Sequence, residues 1–193
     1  MLRQFVVSCL LALAGTAGAA SVRPLPLGEI IDTATVAFQG TCIANRTERE
    51  EATNLVVTYT TFAVKDVLKG TVPGTYVIKQ IGGEMPEGEL SYRVDGVPTF
   101  VVGEDYVVLL AGVSTAGFSS PIGLAQGKFT VQRDASGAKV SNGRDFREMT
   151  AGMPGVVLPE ATAKGLGAVP APVRQLGLEE FKQLVRAQAG RAR

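Results

Sequence analysis

The chain predicts a mainly β fold, a small closed or partly open barrel with a short N-terminal helical turn and a C-terminal amphipathic helix. Three observations carry that expectation. Between residues 34 and 141, apolar side chains recur at every second position in short runs separated by Gly, Pro, Asn and Asp. This is the period of half-buried strands interrupted by turns. The longest run, 55–68, changes phase midway, as a β-bulge does when it adds a residue and bends a strand toward barrel closure. Near the C-terminus, Leu178, Phe181, Leu184 and Val185 return at helical spacing.

The first 20 residues have the parts of a cleavable export signal: Arg3, an apolar run over 5–14, and the small-residue site Ala17-Gly18-Ala19. A run of about ten residues is too short to span a bilayer. The expected organisation is a signal peptide at 1–20, a barrel-like domain at 21–150, an Ala/Gly/Pro-rich linker or strap at 151–174, and a helix with its tail at 175–193. Val6-Val7-Ser8-Cys9 is similar to a lipoprotein box, but only five residues precede it and the apolar run continues past Cys9. No lipid anchor is expected. No later run approaches the roughly 18 apolar residues of a membrane-spanning helix. Removing Arg3 from the 19 basic residues leaves 18 against 18 acidic ones. A neutral chain lacks the basic footprint of nucleic-acid or polybasic membrane binding.

The elements follow in order. Leu27, Ile30 and Ile31 share one helical face. From Ala34 the period becomes two, and Val36, Phe38, Gly40 and Cys42 alternate with Ala37, Gln39 and Thr41, a strand with one buried side. Cys42 is in phase with Val36 and Phe38, so a buried, inert free thiol is expected. Loss of Cys9 with the signal leaves it no disulfide partner. NRTEREEATN, 45–54, has no period and reads as a solvated loop. Asn45-Arg46-Thr47 is a glycosylation sequon, while Glu48, Glu50 and Glu51 lack the spacing of a calcium loop. The bulge of strand 55–68 is expected at Thr60-Thr61, and the strand ends at the turn residues Gly70, Pro73 and Gly74.

Residues 76–81 alternate as a partner strand, and IGGEMPEGE then breaks the pattern with turn-formers. Short strands are expected at 91–94, 97–102 and 106–110. Gly103-Glu104-Asp105 reads as the tight reversal between the last two, its adjacent carboxylates pointing apart instead of acting as a catalytic pair. Residues 106–110 are apolar throughout, so both faces of that strand are expected to be covered. Residues 128–132 alternate and pass through Asp134-Ala135-Ser136-Gly137 into 138–141, a hairpin. Residues 151–173 read as an irregular strap. In the last helix, Glu179 and Glu180 at the start and Arg186 near the end suit the helix dipole, and the apolar stripe is expected to dock on the barrel.

The sequence contains no histidine. Ser-His-Asp and Cys-His catalysis and all His-containing zinc sites are therefore excluded. Ser119, Ser120 and Lys128 lie near one another in sequence, but Ser-Ser-Pro is ordinary turn chemistry. No enzymatic activity, catalytic residue, metal or cofactor is expected. The candidate interaction loop is Gly82, Gly83, Glu84, Met85, Pro86, Glu87 and Gly88 with Tyr92, since barrel loops are common contact surfaces.

VLKG, GGE, GVPTFVVGEDYVVLL, GLAQGKFTV and LEEFKQLVRA occur in this order. With them the chain resembles a group of uncharacterised bacterial secreted proteins that have a signal peptide, a body of strands and a closing helix. The resemblance covers most of 27–187, implies no activity, and favours a periplasmic or secreted destination. More distantly, the strand order and the VLKG turn are similar to the OB-like barrel of netrin-like and metalloproteinase-inhibitor domains. That family inhibits through an N-terminal Cys-x-Cys. Here Ala20 or Ser21 would be followed by Val-Arg-Pro, so the mechanism is not implied. The functional expectation is an exported, non-enzymatic binding or interaction module for an exported protein or a small ligand. The alternatives are a protease inhibitor using loop 81–92 and a His-independent hydrolase.

Overall fold

The computed structural model describes residues 23–85, 91–156, 158 and 171–191. The expected signal peptide, Pro86, Glu87, Gly88 and residues 159–170 of the expected strap lie outside them. The described chain begins with α1 (Leu27–Thr33), then β1 (Val36–Arg49), β2 (Val56–Lys69), β3 (Thr75–Ile81), β4 (Gly83–Glu84), β5 (Ser91–Tyr92) and β6 (Asp105–Leu110). A 3-10 turn (Leu124–Gly127) leads to β7 (Lys128–Asp134), β8 (Gly137–Ser141), α2 (Phe146–Met149), β9 (Leu176–Gly177) and α3 (Leu178–Arg191).

The fold is mainly β. Seven strands form one antiparallel sheet in the order β3-β2-β1-β6-β7-β8-β9, and β4 and β5 form a separate two-stranded ladder. Among the described residues no ladder joins β3 to β9, so the sheet is open and the closed form of the expected barrel is not formed.

Alternation along β6 explains the two cores. Val107 and Leu109 face a layer made by Leu27, Ile30 and Ile31 of α1, Phe129 of β7, Phe146 of α2, and Phe181 and Val185 of α3. Tyr106, Val108 and Leu110 face the opposite side, with Phe38, Cys42, Phe62, Ile78 and Phe100. All six residues of β6 are buried. Edge-to-face contacts run through the second cluster: Phe38 to Phe62 at 5.6 Å, Phe62 to Phe100 at 5.0 Å, and Phe100 to Tyr106 at 5.1 Å. In the first cluster the rings of Phe129 and Phe181 lie 4.5 Å apart and anchor α3. The Lys182 ammonium, 2.7 Å from Asp66, and Arg186, 2.5 Å from the same carboxylate, tie that helix to β2.

Several local expectations are corrected. The segment expected as a solvated loop from Asn45 is strand as far as Arg49 and pairs with Val56–Thr60 of β2. The β1 side chains there are mostly polar while their β2 partners Val56 and Val57 are buried, so the polarity of β1 alone carries no information about strand formation. A register shift does fall beside Thr61, between Cys42↔Phe62 and Ala44↔Thr61, but the extra residue is on β1; β2 pairs with β3 from Val57↔Ile81 to Ala63↔Thr75 without a shift. The extra residues in the β1–β2 ladder are Ile43 on β1, and Lys65 and Leu68 on β2. Residues 97–102 are not a strand. Pro98 has no N–H to give a ladder, and the segment is a strap pinned by the buried Phe100. Of the strand expected at 91–94, only Ser91–Tyr92 forms, opposite Gly83–Glu84. Two short elements were not anticipated: α2, inside the expected barrel-like domain, and β9, at the start of the expected C-terminal segment, which extends the sheet beside β8.

Candidate functional site

Glu104 and Asp105 do point apart, but only the first belongs to the turn. Asp105 opens β6 and is 6% exposed. It accepts hydrogen bonds from Thr41 at 2.5 Å and Lys65 at 2.7 Å, and pairs with Arg133 at 2.6 Å. Burial pushes its carboxyl upward, and the bonds from Lys65, Thr41 and Arg133 together outweigh burial and hold it below the usual aspartate value. It is an ion-pair hub that ties β1, β2 and β7 to β6.

Glu104 accepts from the Tyr106 hydroxyl at 2.6 Å. Burial, then this bond, raises the tyrosine pKa. Lys128 donates to the Thr99 carbonyl at 2.5 Å and sits over the rings of Phe100 and Tyr106. Burial lowers its pKa. Cys42 is a fully buried free thiol whose pKa burial raises. The Ser119 hydroxyl donates to the Ala111 carbonyl, so Ser119 and Lys128 have separate partners and form no dyad. Glu48 pairs with Arg46 and Glu50 with Lys79. Among the described residues no three His, Cys, Asp or Glu side chains gather as a metal site. No described helix is long and apolar enough to cross a membrane.

The described part of the candidate loop lies over a cavity of about 250 Å³. Gly82, Gly83, Glu84 and Tyr92 line it, together with Asn45 and Thr47 of β1, Thr58 and Thr60 of β2, Gln80 of β3, and Val94, Val97, Pro98 and Phe100 of the strap. Antiparallel register produces the polar wall. Thr47 pairs with Thr58 and Asn45 with Thr60, while Thr58 pairs with Gln80.

Hydrogen bonds fix where the hydroxyl protons point. Thr58 donates to the Gly82 carbonyl at 2.6 Å, because a carbonyl can only accept. Its single proton is thereby used, so the 3.0 Å contact between the Thr47 and Thr58 hydroxyls has Thr47 as donor. Thr60 donates to Asn45 Oδ1 at 2.8 Å, and Asn45 Nδ2 donates to the Phe100 carbonyl at 2.7 Å. The Asn45 amide of the sequon thus links both strands to the strap.

Gln80 differs from its neighbours. It is 3% exposed, and its amide nitrogen has no hydrogen-bond partner among the described residues. A buried unpaired donor costs about 1–3 kcal/mol, and such groups in a folded protein call for an explanation.

Gly83 lets the hairpin lie against this wall. At its φ of +143°, a Cβ would sit 2.1 Å from Thr58 Oγ1 and 2.7 Å from the Thr47 methyl, so no side chain fits. The Gly82-Gly83 pair was visible as a turn signal. The threonine row and Gln80 were not, because their proximity depends on the register of three strands. A glutamine inside the alternating run Thr75–Ile81 was the one local signal available. No family model matches the chain, and no curated protein matches it.

Proposed function

We propose that the chain is an exported, non-enzymatic binding module and that its ligand site is the threonine-lined cavity under the glycine hairpin. The observation that carries this reading is the unpaired, buried amide nitrogen of Gln80 in a cavity wall where the neighbouring Asn45, Thr47, Thr58 and Thr60 side chains are hydrogen-bonded. A small ligand site is a concavity with mostly apolar walls and a few placed polar groups, and this cavity has both. The absence of histidine and the separate engagement of Ser119, Lys128, Glu104 and Asp105 favour binding over turnover. Export is supported by the three-part pattern of the first 20 residues. The partly open, OB-like barrel belongs to the same proposal, supported by three register shifts that bend β1 against β2.

The test is an NMR screen of the isotope-labelled chain against a library of small neutral, anionic, cationic and apolar molecules. Saturable shifts at the amides of Thr58, Thr60 and Gln80, with the ligand recovered unchanged, are the expected outcome. Shifts confined to other regions, or chemical conversion of the ligand, would overturn the reading.

A further inference from the structure

We infer that the cavity takes a neutral, polyhydroxylated ligand of one-ring size, a monosaccharide or a ring of the same hydroxyl pattern. This rests on the proposal that the cavity is a binding site, and deepens it by naming the ligand chemistry.

The inference comes from counting protons. The hydroxyl protons of Thr58, Thr47 and Thr60 are committed to Gly82, Thr58 and Asn45 respectively. Toward a ligand, these three oxygens offer lone pairs only. Gln80 Nε2 has the opposite character, a donor without a partner. A complementary ligand must therefore supply several donors and at least one acceptor within a small space. A carboxylate or phosphate offers only acceptors, and its lone pairs would face those of the threonines. An ammonium offers only donors and would leave Gln80 unpaired. A hydroxyl is both donor and acceptor, so adjacent hydroxyls on one ring can satisfy both sides.

Charge and shape point the same way. Among the described residues the deep wall contains no ionised side chain, and the two charged ones at the cavity, Glu84 and Arg93, are exposed and opposite in sign. Burying an ionic ligand against such a wall would leave its charge uncompensated. Apolar surface comes from Phe100, Val97, Pro98 and Val94, beside the exposed polar residues Ser91 and Thr99 at the rim, with Tyr92 45% exposed among them. Those surfaces suit the C–H face of a pyranose while the hydroxyls meet the polar wall. The volume, about 250 Å³, lies below the roughly 300–1,000 Å³ of pockets for drug-sized ligands. It accommodates one ring and not an extended chain.

The experiment titrates the full labelled chain with D-glucose, D-galactose, D-mannose and N-acetylglucosamine. Glucose 6-phosphate, glucosamine and cyclohexanol serve as anionic, cationic and hydroxyl-poor counterparts. At least one neutral sugar is expected to shift Thr58, Thr60 and Gln80 saturably, at least tenfold more tightly than each counterpart. Gln80→Met, which keeps side-chain length but has no donor, is expected to weaken that sugar at least tenfold, whereas Ser119→Ala leaves it unchanged. If a charged or apolar counterpart binds the cavity better than every neutral sugar, the ligand class is wrong and the binding-module reading stands. If no compound moves the cavity amides, the sugar assignment falls, and the binding-module reading is judged separately by the wider library screen. If Gln80→Met binds the sugar as wild type does, the assigned role of Gln80 is refuted.

Discussion

Gln80→Met should make the protein more stable while removing the donor that we propose meets the ligand. In the free protein the Gln80 amide nitrogen is buried without a partner, a condition worth about 1–3 kcal/mol of destabilisation. Methionine is unbranched and similar in length, and volume-conserving exchanges in a packed site cost less than about 1.5 kcal/mol. The difference leaves a net gain of about 1 kcal/mol. For a domain of this size that raises Tm by about 2–4 °C. The assay is equilibrium urea unfolding without ligand, read as a higher midpoint at an unchanged m-value. Destabilisation by more than about 1 kcal/mol would refute the reasoning, because it would mean that the amide makes a structural hydrogen bond and is not held open for a ligand. Most substitutions at buried positions destabilise, so a gain here would be diagnostic.

Three further outcomes follow from the packing and the ion pairs. Asp105→Asn should cost about 1.5–3 kcal/mol at neutral pH, the usual worth of hydrogen bonds to a charged group. Because Asp105 titrates lower folded than unfolded, its contribution is present above the unfolded value of about 3.9 and is lost as pH falls through the folded value. Stability curves of the two proteins should therefore converge in acid, and a constant difference down to about pH 2 would contradict the pairing. Phe181→Ala should cost about 3–5 kcal/mol by removing the ring that α3 packs between Phe129 and Phe146, measured by urea unfolding. The Cys42 thiol, fully buried and with its pKa raised by burial, should resist alkylation in the native state and react at once in denaturant, as followed by peptide mass spectrometry.

What the sequence made legible tracks whether a segment is held by burial. The uniformly apolar 106–110 run announced a strand covered on both faces, and β6 is that strand. The spacing of Leu178, Phe181 and Val185 marked the face by which α3 docks. The second half of β1 was missed because Asn45, Arg46 and Arg49 are exposed, while the buried partners Val56 and Val57 lie on β2. Residues 97–102 misled in the opposite direction. Val97, Val101 and Val102 suggest a strand, yet Val101 and Val102 are both 55% exposed and only Phe100 is buried. The phase change at Thr60-Thr61 was legible, but not which strand holds the extra residue, because a bulge is a relation between two strands. The phase change within β2 arises opposite Ile43, on its neighbour. The cavity was hidden for the same reason, since its wall exists only once β1, β2 and β3 are in register.

The contact between α1 and α3 has a consequence for the order in which the fold can close. The first described helix packs beside the last, and Gln188 donates to the Asp32 carboxylate at 3.0 Å. Leu27, Ile30 and Ile31 of α1 share their core with the 14-residue α3, and the Asp32–Gln188 contact spans 156 residues of sequence. Joining ends so far apart carries a loop-closure cost that the intervening strands must first reduce by folding. Docking of α3 beside α1 is therefore a step that closes the first core and does not start it.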